Sequence, residues 1–202
     1  MAEVLITLGI IGVVAALTIP TLMQKMDERE TVSKVKKAFS TISNAVKMAT
    51  VENGEISSWG LNYDQSSDDA QIIGEKIAPH LNVIKDCGTT ENGCFATSHL
   101  RLDGNWDGNY NTAEYYKVTL SDGTAISIRS YPAGAYFVVD INGLKKPNQL
   151  GKDTFIFFAS DKGKIYPHPA DPDNADGCSL TKRGHGCSNW IIQNDNMDYL
   201  DE

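Results

Sequence analysis

Three sets of residues in this chain have types and spacings suited to chemistry. The first is the run Asp103-Gly104-Asn105-Trp106-Asp107-Gly108-Asn109-Tyr110-Asn111-Thr112-Ala113-Glu114. It fits D-x-[DN]-x-[DN]-G-x₅-E, which sets oxygen ligands at alternating positions, a glycine at the sharp turn and a bidentate carboxylate last, as a calcium loop requires. The ligands would be Asp103, Asn105, Asp107, Asn109 and Glu114. Such loops join two helices, whereas strands are expected after this one, so a plain polar loop competes. Asp140-Ile141-Asn142-Gly143 with Pro147-Asn148 and Asp153 is a weaker calcium set. A turn network of side-chain to backbone hydrogen bonds is its better reading.

The second set is the four cysteines. They fall into two local pairs, Cys87 with Cys94 and Cys178 with Cys187. Four cysteines permit three connectivities, of which sequence-local closure is the economical one. Each bridge would tie a polar loop with little core of its own, contributing about 2–4 kcal/mol, and would need an oxidising compartment. A zinc site competes, since His168 and His185 lie near the second pair, but the C-x-x-C spacing is missing. No G-x-S-x-G, phosphate-cradling glycine loop or H-E-x-x-H occurs, and His80, His99, His168 and His185 stand apart, so no covalent chemistry is expected. No cofactor is required, and calcium is the one the pattern suggests.

The third set is a single carboxylate in an unusual place. Glu3 opens an apolar run, and Val4 to Gln24 carries no charge. At 1.5 Å per helical residue this stretch spans the roughly 30 Å hydrocarbon core of a bilayer. An ionisable group at the edge of that core is costly without a partner, which makes it a functional candidate. A secretory signal would need basic residues ahead of the run, yet the first cation is Lys25. A plain anchor explains the length but not the acid.

The string AEVLITLGIIGVVAALTIPTLM resembles the N-terminal segment of type IV pilins and of the related pseudopilins of type II secretion, with Glu3 and Pro20 separated by seventeen positions. In that family the acid is usually fifth in the mature chain, behind a peptidase-cleaved leader; here it is third. The resemblance implies a type IV pilin-like fold and a structural subunit that polymerises with itself. It also implies a prepilin peptidase, an inner-membrane assembly platform and an assembly ATPase as partners, and methylation of the mature N-terminus. Bundled helices would approach closely at Gly9, Gly12, Ala15 and Ala16. Glu3 would be neutralised by the N-terminal amine of a neighbouring subunit, and removing one partner would strand a buried charge at a cost of about 3–5 kcal/mol. Pro20 lacks an N–H and should kink or open the helix. The loop closed by Cys178 and Cys187, enclosing SLTKRGHG, resembles the disulfide loop on the exposed surface of pilins.

These residues need elements to position them. Val32, Val35, Phe39, Ile42, Val46 and Ala49 recur at steps of three and four, so residues 25–53 should form an amphipathic helix continuing the apolar segment 1–24, with Asn53-Gly54 as its stop. Residues 54–114 read as a connecting region with one short helix over 67–80. Strands are predicted at 115–120, 124–130, 135–141, 154–159 and 164–166, the first two joined by a hairpin at Ser121-Asp122-Gly123. Residues 167–202 form the C-terminal disulfide region, with a short apolar strand at 190–192. The predicted class is α+β, a long N-terminal helix on the antiparallel sheet of a globular head, 54–202.

A net charge of -8 argues against nucleic-acid binding by the whole surface. The cysteines place the head in the periplasm or outside the cell and outweigh the basic residues after the apolar run, which favour the reverse orientation. The expected life history is inner membrane before assembly, then an extracellular filament. Two readings stay open beside the pilin: a secretion pseudopilin in a short periplasmic pseudopilus, and a monomeric membrane-anchored module binding a ligand through calcium.

Overall fold

The computed structural model describes residues 2–91, 93–132, 134–169 and 174–201, with side chains from Thr7 onward. Helix α1, Ala2–Asn53, is one continuous rod that runs through Pro20. It ends where expected, at Gly54, whose φ of 79° is the left-handed conformation that glycine adopts without a Cβ penalty. Val32, Val35, Ile42, Val46 and Ala49 are buried, so the three-and-four spacing does lay a stripe on the head.

Helix α2, Ser67–Ile77, starts because the Ser66 hydroxyl accepts from Asp69 N–H, and two aspartates occupy its first turn. A turn of 3₁₀ helix, Ala78–His80, extends it to the predicted length. Among the described residues eight strands follow: β1 Val83–Gly88, β2 His99–Leu100, β3 Trp106–Gly108, β4 Tyr116–Leu120, β5 Ala125–Tyr131, β6 Gly134–Asp140, β7 Thr154–Ser160 and β8 Ile165–Pro167. Six of them form one antiparallel sheet in the order β1-β4-β5-β6-β7-β8, and β2 pairs with β3 in a small ribbon. The five predicted strands are β4 to β8. β1 was not predicted, because Val83-Ile84-Lys85-Asp86-Cys87 has no alternation and pairs with β4 through two register irregularities.

Both faces of the sheet are covered. On one, Tyr116, Val118, Ile126, Ile128, Phe137, Val139 and Phe157 join the helical stripe, with Phe39 and Phe157 ring centroids 5.7 Å apart. On the other, Ala125, Tyr136, Val138, Ile156 and Phe158 meet Phe95, Tyr110, Tyr115 and Leu150. Much of the supposed connecting region is therefore a second lid. Buried Lys117 fastens it by donating to the Thr112 carbonyl at 2.6 Å, and the Ser127 hydroxyl donates to the Tyr110 carbonyl.

The predicted C-terminal strand is instead a helix, α3, Cys187–Asn194. A three-residue apolar run is ambiguous between the two states, and here Cys187, Ser188 and Ile191 are buried at helical spacing. The helix is closed by Asp195 at φ 60°, and the Lys36 ammonium pairs with the Asp195 carboxylate at 2.5 Å. Behind it, Tyr199 is fully buried and donates to the Gly151 carbonyl at 2.7 Å.

Candidate functional site

Most of the first half of α1 stands clear of the head, and only at its lower end do Pro20, Met23 and Gln24 share a groove with Pro147, Lys152, Met197 and Leu200. Leu8, Ile10, Ile11, Val13, Val14, Leu17, Ile19, Leu22, Met23 and Met26 are each more than half exposed. The helix is long and apolar enough to cross a membrane. Water solvates such a surface poorly, and a monomer rarely shows one this large. A Cβ added at Gly9 or Gly12 would meet nothing within 4 Å, so both glycines present bare backbone to whatever covers the rod. Ala16 lies on the same exposed stretch and Pro20 sits inside the helix without ending it. Glu3 falls outside the residues whose side chains are described. The rod and its junction with the head are the first candidate site.

The Asp103–Glu114 segment does not fold as a loop between helices. β3 crosses it at Trp106–Gly108, and Tyr110 and Asn111 are drawn into the core. Asp107 accepts from Tyr110 Oη, from Arg101 Nε at 3.1 Å and contacts His185 Nε2 at 3.2 Å. Burial alone would raise its pKa, but the hydrogen bonds from His185 and Tyr110, aided by Arg101, hold the carboxyl at about 2. Asp103 and Asn109 accept from the backbone N–H two residues on, and Glu114 is exposed. Among the described residues this segment gathers no group of three His, Cys, Asp or Glu ligands. Its central carboxylate already has protein partners, which was not legible because Arg101 and His185 lie outside the motif.

The weaker calcium set is a buried turn network. Asp153 accepts from the backbone N–H of Asn148 at 2.9 Å, of Gln149 at 2.6 Å, and from Asn142 Nδ2 at 3.1 Å. Asp140 accepts from Asn142 N–H at 3.0 Å, and the Asn148 amide, turned to donate, reaches Asp140 Oδ2 at 3.2 Å. Burial, reinforced by Asp153, pushes the Asp140 carboxyl up to about 8; Asp153 is raised too, by its own burial. His99, fully buried, stacked on Phe95 and tilted against Tyr110, is driven down to about 4 by desolvation, against a weaker upward pull from Asp107. Its Nε2 lies 3.9 Å from Asp140 Oδ2. That proximity would suggest an ion pair, yet both groups favour their neutral forms between pH 4 and 8, so the contact is between uncharged partners there.

Both local disulfides are present, Cys87 with Cys94 and Cys178 with Cys187, and no described cysteine is free. The first closes a loop beside the β1 edge; the second ties the start of α3 to the loop ahead of it. His80 contacts Glu52 at 3.3 Å between α1 and the turn after α2. His168 and His185, 17 residues apart in sequence, stand with ring centroids 5.5 Å apart and share Asp176 between them. The sequence places both histidines near the second cysteine pair, whereas Asp176 joins them only in space.

No curated protein and no solved structure matches the chain. A family model does, over residues 21–180, which takes in the amphipathic half of α1, α2 and the strands β1 to β8 but neither most of the apolar rod nor α3. On that match the chain belongs to DUF6613, a family of unknown function.

Proposed function

We propose that this chain is a structural filament subunit of the type IV pilin kind, polymerising through the apolar half of α1 and displaying the disulfide-bonded head on the filament surface. The observation that carries the reading is the division of one continuous helix into two regimes. Its second half is stitched into the head by a buried stripe, while every large apolar side chain from Leu8 to Met26 is exposed. A lone monomer can shelter that rod in a bilayer. A filament shelters it among copies, and bare backbone at Gly9 and Gly12 favours close helix approach. Glu3, placed by its resemblance to the pilin acid, would pair with a neighbour's N-terminal amine. In this reading the chain waits in the inner membrane, matures through a prepilin peptidase and is built into an extracellular fibre.

Electron microscopy of material sheared from cells tests it directly. The wild-type chain is expected in fibres, and Glu3→Ala should abolish or sharply reduce them while circular dichroism of the full chain in detergent is unchanged. Dispersed single molecules under every assembly condition, or a normal fibre yield from Glu3→Ala, would remove the proposal. Short fibres confined to the periplasm would redirect it to a pseudopilus.

A further inference from the structure

We propose that His168, Asp176 and His185 form a binding site for a divalent transition-metal ion, zinc first among them, which clasps the end of β8 to the disulfide loop ahead of α3. One potential ligand atom from each of the three lies within 4.8 Å of the others, and all three side chains are half-buried. Each histidine has one nitrogen already committed. His168 Nδ1 is 3.1 Å from the Pro169 carbonyl, which fixes it as the donor and leaves the Nε2 lone pair free. His185 Nε2 is 3.2 Å from Asp107 Oδ1, and Asp107 is itself anchored by Tyr110 and Arg101. A carboxylate holding one imidazole nitrogen so that the other can ligate is the outer-shell arrangement of metal-binding histidines.

That arrangement leaves a contact in need of a cation. With its proton on Nε2, His185 turns the Nδ1 lone pair toward Asp176 Oδ1 at 3.2 Å, acceptor against acceptor. The Arg183 guanidinium, 3.2 Å from the same Asp176 oxygen, offsets part of the charge but cannot serve the nitrogen lone pairs. An ion at about 2.0–2.2 Å from each donor answers both demands, and two nitrogens with one carboxylate oxygen are a zinc-type donor set that keeps a fourth position for water. The 3.2 Å edge between His185 and Asp176 already matches the spacing of two ligands on one tetrahedral ion; the other edges, within 4.8 Å, would have to shorten when the ion binds. Backbone around His168 is held in place, its N–H donating to Ser188 Oγ at 3.2 Å.

Titration with zinc tests the site. The full-length chain in detergent, stripped with EDTA and dialysed, is titrated with zinc chloride at pH 7.5 by calorimetry. Cobalt replaces zinc in a parallel absorption measurement. One ion per chain is expected, with the visible spectrum of four-coordinate cobalt. His168→Ala and His185→Ala should each weaken binding at least tenfold, and Asp107→Asn, outside the donor set, by about 10–100-fold. Asp176→Asn, at a half-buried position, should also weaken binding at least tenfold, with tryptophan fluorescence checking the fold of every variant. Absence of one-to-one binding in the wild-type chain, or equal binding by the wild type and the His168→Ala/His185→Ala double variant, overturns the site.

Discussion

Replacing Asp140 with asparagine should make the head more stable, and increasingly so as the pH rises. Asp140 is 1% exposed, and its carboxyl is raised from an ordinary 3.8 to about 8 by burial and by Asp153. An unfolded chain releases this proton near pH 4 while the folded chain keeps it until about pH 8, so the folded state binds more protons between those limits. Stability from this group is therefore complete below pH 4 and is lost as the pH climbs toward 8, by about 1.4 kcal/mol per pH unit. Between pH 5 and pH 7 the loss comes to about 3 kcal/mol. Asparagine mimics the protonated acid in shape, can still accept from Asn142 N–H, and cannot ionise. At pH 5 the variant and the wild type should lie within about 1 kcal/mol of each other; by pH 7 the variant should lead by about 2–3 kcal/mol. His99 opposes the trend, since its depressed pKa costs stability as the pH falls from 6.5 to 4, but both proteins share that contribution and it cancels in the difference. Urea unfolding of the full chain in detergent with EDTA is the assay, followed by the fluorescence of Trp59, Trp106 and Trp190, all of which lie in the head. Parallel stability curves for the two proteins from pH 5 to 8, or a variant that is worse at pH 8, would mean that Asp140 is ionised and paired in the fold, and the argument would fail.

Two further outcomes test the packing. Gly74→Ala would gain about 1 kcal/mol of helix propensity on α2, yet its Cβ would stand 2.0–2.4 Å from the Tyr116 ring, which is pinned by a 2.6 Å bond from its hydroxyl to Asp86. Overpacking should win, with a net loss of about 2 kcal/mol in urea unfolding; a stabilised variant would refute the close approach of α2 to β4. Opening the Cys178–Cys187 bridge with the Cys178→Ala/Cys187→Ala double variant frees a loop with a sequence separation of 9 and removes a fully buried sulfur, for an expected loss of about 3 kcal/mol. A loss under about 1 kcal/mol would show that the loop is held by Tyr199, α3 and other contacts instead.

Local and periodic features were legible in the chain. The stripe from Val32 to Ala49, the left-handed stop at Gly54, the capped helix beginning at Ser67 and the five strands from Tyr116 to Pro167 are written in spacing, capping and turn chemistry that act over a few residues. So was the extent of the apolar rod, since hydrophobic length is additive along a sequence. Pairing of each cysteine with its nearest partner followed from loop closure, which favours short separations.

What needed the tertiary structure is what depends on residues distant in sequence meeting in space. Whether Trp190-Ile191-Ile192 coils or extends was settled by Cys187 and Ile191 sharing a buried face, not by its own propensity. The polar segment around Tyr110 became a lid on the second sheet face because the sheet's apolar residues at both parities need cover. Asp107 has the spacing of a calcium ligand, but Arg101, Tyr110 and His185 claim its oxygens first. The pairing of His168 with Asp176 and His185 likewise arises from loop geometry that no spacing rule encodes. Electrostatic environment is a property of three-dimensional neighbours and of exclusion from water, so the same carboxylate type rests at about 2 at Asp107 and about 8 at Asp140.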